Sequence, residues 1–111
     1  MTSDRMRRVD EAVREVLSDA INSDLKDPRV GFVTVTAVDT SPDLRHAKVF
    51  VSVFGHAGVR ARSMDGLRSA HGYLQGRIAA EVRMKRTPAL RFEHDDTAER
   101  VARLERKLGE R

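Results

Sequence analysis

The residues best equipped for chemistry in this chain are His94, Asp95 and Asp96, three in a row near its C-terminal end, with His46, His56 and His71 dispersed upstream. An imidazole beside two carboxylates could hold a divalent cation or move a proton, provided folding brought a second histidine to it. A structural reading competes and is preferred. His94 closes a β-type alternation, and aspartates that follow a strand are the residue type that caps the next helix. Walker loop, nucleophile elbow and HExxH are all missing. Cysteine is absent, which removes disulfides, thiolate nucleophiles and cysteine-ligated zinc. No catalytic residue, metal, cofactor or small-molecule substrate is therefore expected, and an uncharacterised small hydrolase is the most distant reading.

Charge offers a second kind of chemistry. The 111 residues carry a formal net charge of +4, a weak pointer to an acidic partner. The distribution is more telling: from Arg60 to Arg91 there are eight bases against two acids, so the remainder of the chain is net negative. Such a segment can attract phosphates even when the whole molecule is only mildly basic. The alternative is a solvated helical face. There is no Trp and one Tyr, and the four Phe fall mostly in strand patterns, so recognition should lean on backbone charge and shape rather than on base stacking.

The elements that must position these residues follow from periodicity. Met6, Val9, Val13, Val16, Leu17, Ala20, Ile21 and Leu25 repeat at steps of three and four, predicting a long first helix. Thr2, Ser3 or Asp4 would cap it, and Asp27-Pro28 would stop it. Phe32 to Val38 and Arg45 to Phe54 alternate as strands, with Val33, Val35, Ala37, Ala47, Val49, Val51 and Val53 on the aliphatic face. The turn Thr40-Ser41-Pro42-Asp43 makes them an antiparallel hairpin. After a glycine-bearing loop, Gly55 to Gly58, the stripe Leu67, Ala70, Leu74, Ile78, Val82 is helical, and Gly72 with Gly76 should break it into two helices meeting near Gly72. Thr87-Pro88 precedes a third strand through Leu90, Phe92 and His94; Asp96 with Glu99 resembles a capping box for a short final helix expected to fray.

The expected architecture is α+β: one two-layer domain over residues 1–95 in the order α-β-β-α-α-β, with a three-stranded sheet covered by helices on one face. A helical tail occupies 96–111. The N-terminus has no apolar leader and no stretch is long enough to span a membrane, so a cytoplasmic protein without membrane association is expected.

In this order the segments resemble a known family, ribosome-binding factor A. The resemblance is carried by Arg8-Val9, the run Asp27-Pro28-Arg29-Val30-Gly31-Phe32-Val33-Thr34-Val35-Thr36, the stretch Asp43 to Val53, Ala70-His71-Gly72-Tyr73-Leu74, and Arg86 to Asp95. It implies a type II KH-like domain and a monomeric, non-catalytic factor that binds the immature 30S subunit through 16S rRNA. It further implies a role in late maturation, including processing of the 16S 5′ end, with most importance in the cold. KH domains clamp the nucleic-acid backbone with a GXXG loop between helices. The family instead places an Ala-x-Gly kink there, matched by Ala70-His71-Gly72. The literal GxxG at Gly55-His56-Ala57-Gly58 follows a strand and is rejected. Where the family usually has a base, this chain has Gln75.

The candidate RNA-binding residues are accordingly Arg68, Ala70, His71, Gly72, Arg77, Arg83, Lys85 and Arg86, with Arg5, Arg7 and Arg8 as a potential extension. The kink glycine serves either a close approach of RNA to the backbone or tight packing of helix on sheet. An alternative function is a protein-interaction module that docks a partner on the mixed sheet face through Phe32 and Phe50.

Overall fold

The computed structural model describes residues 3–109. Helix α1 (Asp4–Ser23) begins at Ser3, whose Oγ accepts from the Met6 N–H at 3.1 Å, and buries Val13, Leu17, Ala20 and Ile21. Of the other expected caps, Thr2 lies outside the described residues and Asp4 is already helical. The helix leaves off at Ser23, short of Asp27-Pro28, and Leu25 packs at the edge of the core from the loop.

Strands β1 (Val33–Thr40) and β2 (His46–Val53) form the antiparallel hairpin. The register runs Val33↔Val53, Thr34↔Ser52, Val35↔Val51, and then resumes at Ala37↔Phe50. Thr36 is thus the extra residue of a β-bulge, which shifts the inward-facing set by one position. Ala37 is consequently exposed, contrary to the simple alternation, while Val38 and Thr40 turn inward.

Helix α2 (Ala57–Ser69) starts inside the stretch read from sequence as a glycine loop. The cause is His56, whose Nδ1 accepts from the Gly58 N–H at 3.0 Å and from Val59 and so replaces the usual hydroxyl or carboxylate cap. After α3 (His71–Glu81), β3 (Ala89–His94) pairs parallel to β2, giving the sheet order β1-β2-β3. Helices α1, α2 and α3 cover one face, and the core is closed by Met64, Leu67, Leu74 and Ile78 against Val49, Val51, Leu90 and Phe92.

The loop Asp27 to Gly31 is strapped to α2. Asp27 accepts the Arg29 N–H at 2.9 Å and pairs with its guanidinium at 2.6 Å, and Arg29 donates onward to Ser69 Oγ at 3.0 Å. Buried Ser63 accepts the Gly31 N–H at 3.0 Å. Gly66 allows a close approach here: a Cβ on it would lie 2.6 Å from Val30 Cγ2, so Val30 would have to shift. The strap anchors the last turn of α2, immediately before the bend.

Helix α4 (Thr97–Gly109) stands apart, with no buried residue. The expected Asp96–Glu99 capping box does not form. Asp95 takes the capping role, accepting the Thr97 N–H at 3.0 Å and its hydroxyl, while Asp96 pairs with Arg100 at 3.0 Å. The radius of gyration, 15.4 Å, exceeds the roughly 13 Å of a compact chain this long, as a projecting helix requires.

Candidate nucleic-acid interface

The two helices meet at Ala70, the first residue of the Ala70-His71-Gly72 segment and two before Gly72. Ala70 (φ −86°, ψ 6°) ends one helix and begins the next: its N–H is shared between Gly66 O and Leu67 O at 3.1 Å, and its carbonyl accepts from Leu74 at 3.0 Å. No side chain caps α3, so its first amides are not met by a capping group. Gly72 falls in that first turn. A Cβ at Gly72 or Gly76 would meet nothing within 4 Å, so packing against the sheet is not what these glycines serve. Both open onto solvent, and exposed Ala79 and Ala80 prolong the smooth surface along α3.

At the bend, Arg68 and half-buried His71 line an open groove of ≈440 Å³ with Leu90, Arg91, Phe92 and Glu93, against the free edge of β3. One guanidinium N–H of Arg68 reaches the Phe92 carbonyl at 3.5 Å. At the other end of α3, Arg83 and Lys85 meet Arg5 across a groove floored by Met6, Val9, Leu44 and Met84, with no acid in its lining. Among the described residues Arg5, Arg83, Lys85 and Arg86 have no ion-pair partner, whereas Arg7 is paired with Asp4 at 2.8 Å. The eleven residues of α3 put roughly 16 Å between the two basic patches.

Arg77 departs from the sequence expectation. Its side chain is 23% exposed and turned toward α1, where it pairs with Asp19 at 3.0 Å and with Asp24, while Glu81 on its own helix takes the remaining side. Three carboxylates leave its guanidinium no free face for a phosphate. Tyr73 donates its hydroxyl to Asp24; that bond first, then Arg77, holds the Asp24 carboxyl below its ordinary range, and the same bond to Asp24 pushes the Tyr73 phenol up against the opposing pull of Arg77. The signal that would have separated Arg77 from its neighbours is its spacing, four residues from Glu81 and one turn from Tyr73 on the side facing α1.

The histidines do not converge. His56 caps α2, His71 sits at the bend, and His94 approaches Glu99 at 3.6 Å. Among the described residues no three His, Asp or Glu side chains are grouped to hold a metal. On the open sheet face Phe50 is half-buried, and the exposed aromatic pair is Phe32 with Phe54. Among the described residues no helix is long and apolar enough to cross a membrane.

Comparison with known proteins bears on this arrangement. Ribosome-binding factor A from Halothermothrix orenii is 44% identical over 108 residues, covering 97% of this chain and 88% of that protein. The crystal structure of ribosome-binding factor A from Thermus thermophilus superposes with a TM-score of 0.72 at 29% identity, over 80% of this chain and 93% of that one. A homology model of the Thermus thermophilus factor, fitted into a cryo-EM map of its complex with the 30S subunit, matches with a TM-score of 0.62 at 31% identity. That match covers 78% of this chain and 90% of the fitted one. The family is one of ribosome-binding factors, not enzymes. Its model matches residues 5–108, taking in the bend, both basic patches and nearly all of α4, and so the chain belongs to the ribosome-binding factor A family.

Proposed function

We propose that this chain is a non-catalytic assembly factor that binds the immature 30S subunit through 16S rRNA and supports late maturation, including processing of the 16S 5′ end. It acts as a cytoplasmic monomer, with its greatest importance in the cold. The observation that carries this reading is the bare face of α3: two glycines with nothing opposite them, between two groups of bases lacking carboxylate partners. Glycine removes the side chain that would hold a polynucleotide backbone away. The uncapped amides at His71 and Gly72 supply the positive end of a helix, suited to a phosphate oxygen. Arg68 and His71 at one end, with Arg83, Lys85 and Arg86 at the other, then neutralise phosphates along the strand and release counterions. Ala70 sets the bend, and Arg77 acts indirectly by locking α3 against α1.

The relative fitted into a 30S complex supports the choice of partner. The test is sedimentation of a lysate on a sucrose gradient across a salt series. The protein should travel with free small subunits and leave translating ribosomes empty. Its affinity for isolated subunits should fall with salt at a log–log slope close to the number of phosphates contacted. Depleting it at low temperature should accumulate 16S rRNA with an unprocessed 5′ end. Migration with neither particle at low salt contradicts the reading.

A further inference from the structure

Phe32 and Phe54 are 83% and 81% exposed, so neither ring contributes to the core. They are also neighbours. The Phe54 N–H donates to the Phe32 carbonyl at 3.0 Å, continuing the Val33↔Val53 and Thr34↔Ser52 register by one pair. Because Val33 and Val53 point inward, Phe32, Thr34, Ser52 and Phe54 share the open face of the sheet. Directly opposed strand residues hold their Cβ atoms about 5 Å apart, so the two rings stand side by side.

We propose that this pair forms a stacking slot for one unpaired RNA base, a contact separate from the phosphate-binding face of α3; it rests on the RNA-binding reading given above. Phe32, Phe54, Thr34 and Ser52 form one side of an open groove of ≈470 Å³, with exposed Ala98 and Ala102 of α4 along the other. Ala98 and Ala102 are one helical turn apart, and a long side chain at either position would fill the cleft. Thr34 and Ser52 also line the groove, which puts their hydroxyls within reach of the polar edge of a base.

The attraction for a polyanion comes from the bases of α4 and not from the cleft lining, whose one charged residue is Glu99, with Oε1 3.9 Å from Arg60 and 3.6 Å from His94 and Oε2 buried without a hydrogen-bond partner among the described residues. Helix α4 itself carries four bases against two acids. The exposed stripe of α4, Val101, Leu104 and Leu108, adjoins Ala98 and Ala102 through i,i+3 and i,i+4 spacing, so an apolar protein partner is the competing occupant, and the test separates the two. A nucleobase needs only the two rings, since every base has a π-face to stack.

The test uses an eight-nucleotide oligoadenylate and an abasic oligomer of equal length and charge. The native chain should bind oligoadenylate more tightly than the abasic strand. Phe32→Ala and Phe54→Ala should each weaken oligoadenylate binding about tenfold and leave abasic binding unchanged. Phe54→Leu keeps the apolar surface but removes the ring, and should fail as Phe54→Ala does. The chain contains no Trp, so Phe54→Trp gives a single Trp whose selectively excited emission oligoadenylate should quench and the abasic strand should not. Equal binding of the two oligomers by the native chain overturns the slot, as does undiminished oligoadenylate binding by the alanine variants. Tolerance of leucine, or loss of 30S association with oligoadenylate affinity intact, overturns it in favour of an apolar protein contact. Co-sedimentation with 30S subunits scores the broader reading independently: if it persists while the slot tests fail, only the slot falls.

Discussion

Arg77 on α3 and Asp19 on α1 are paired at 3.0 Å across the seam between the two helices, with Asp24 and Glu81 completing a three-carboxylate cage around one guanidinium. Bases adjacent in sequence therefore do different work. Arg77 holds α3 in place, and Arg83 and Lys85, just beyond the end of α3, face solvent without ion-pair partners among the described residues.

Charge reversal should separate these roles. Arg77→Glu places a fourth carboxylate among three and should destabilise the fold by about 2 kcal/mol in denaturant titration. The double change Arg83→Glu with Lys85→Glu should alter stability by no more than about 0.5 kcal/mol, yet abolish co-sedimentation with 30S subunits. Retained subunit binding in the double variant would show that the groove beside Arg5 is not a docking surface.

Glycine substitutions should sort by position. Gly66→Ala drives a methyl into Val30 Cγ2 and should cost about 1–3 kcal/mol. Gly76→Ala meets nothing and should stabilise by about 0.5–1 kcal/mol through the unfolded chain and helix propensity. Gly76→Leu should fold equally well but lower 30S affinity at least tenfold, because it obstructs the smooth face of α3. Chemical denaturation paired with a filter-binding assay checks all three.

Acid should loosen the strap. The side chain of Arg29 and then its backbone N–H hold the Asp27 carboxyl down to about 2, against an ordinary value of 3.8. A carboxyl whose folded value is depressed contributes stability that is full above its unfolded pKa and lost as pH falls through the folded one. The contribution should therefore persist above about pH 4 and disappear toward pH 2. In urea titrations at pH 5, 3 and 2, Asp27→Asn should start less stable than the native chain and converge with it at the lowest pH. Parallel pH profiles would remove Asp27 from the account.

Helix α4 should be dispensable for folding. A chain ending at Asp96 loses no buried side chain and should keep its thermal stability to within about 1 kcal/mol. A larger loss, read by calorimetry, would mean that α4 supports the sheet.

Much of this architecture was legible in residue spacing, for identifiable reasons. The stripe from Val13 to Ile21 and the alternation from Ala47 to Val53 each match one periodicity, and both are buried as read. Failures cluster where a single side chain overrides the local pattern. His56 starts a helix in a glycine-rich stretch, the bulge at Thr36 turns Ala37 outward, and Asp95 displaces Asp96 as a cap. At the interface, composition located the basic segment but not which bases had partners, since Arg77 finds two of its three carboxylates on α1 and just beyond its end, more than fifty residues away. Gly66 was missed because nothing local announces that Val30 will approach it.

The treatment of β1 has a consequence for behaviour in a crowded cell. As an outer strand it could template pairing with another chain, the usual route to sheet-mediated aggregation. Here the Thr40 N–H donates to the Asp10 carboxylate at 3.0 Å, the Thr36 bulge interrupts the strand, and Arg7, Glu11 and Arg14 of α1 line the groove alongside it. A carboxylate, a kink and a fence of charge thus leave no straight, bare ladder for a second molecule to extend, which keeps free copies of the chain from joining through this edge.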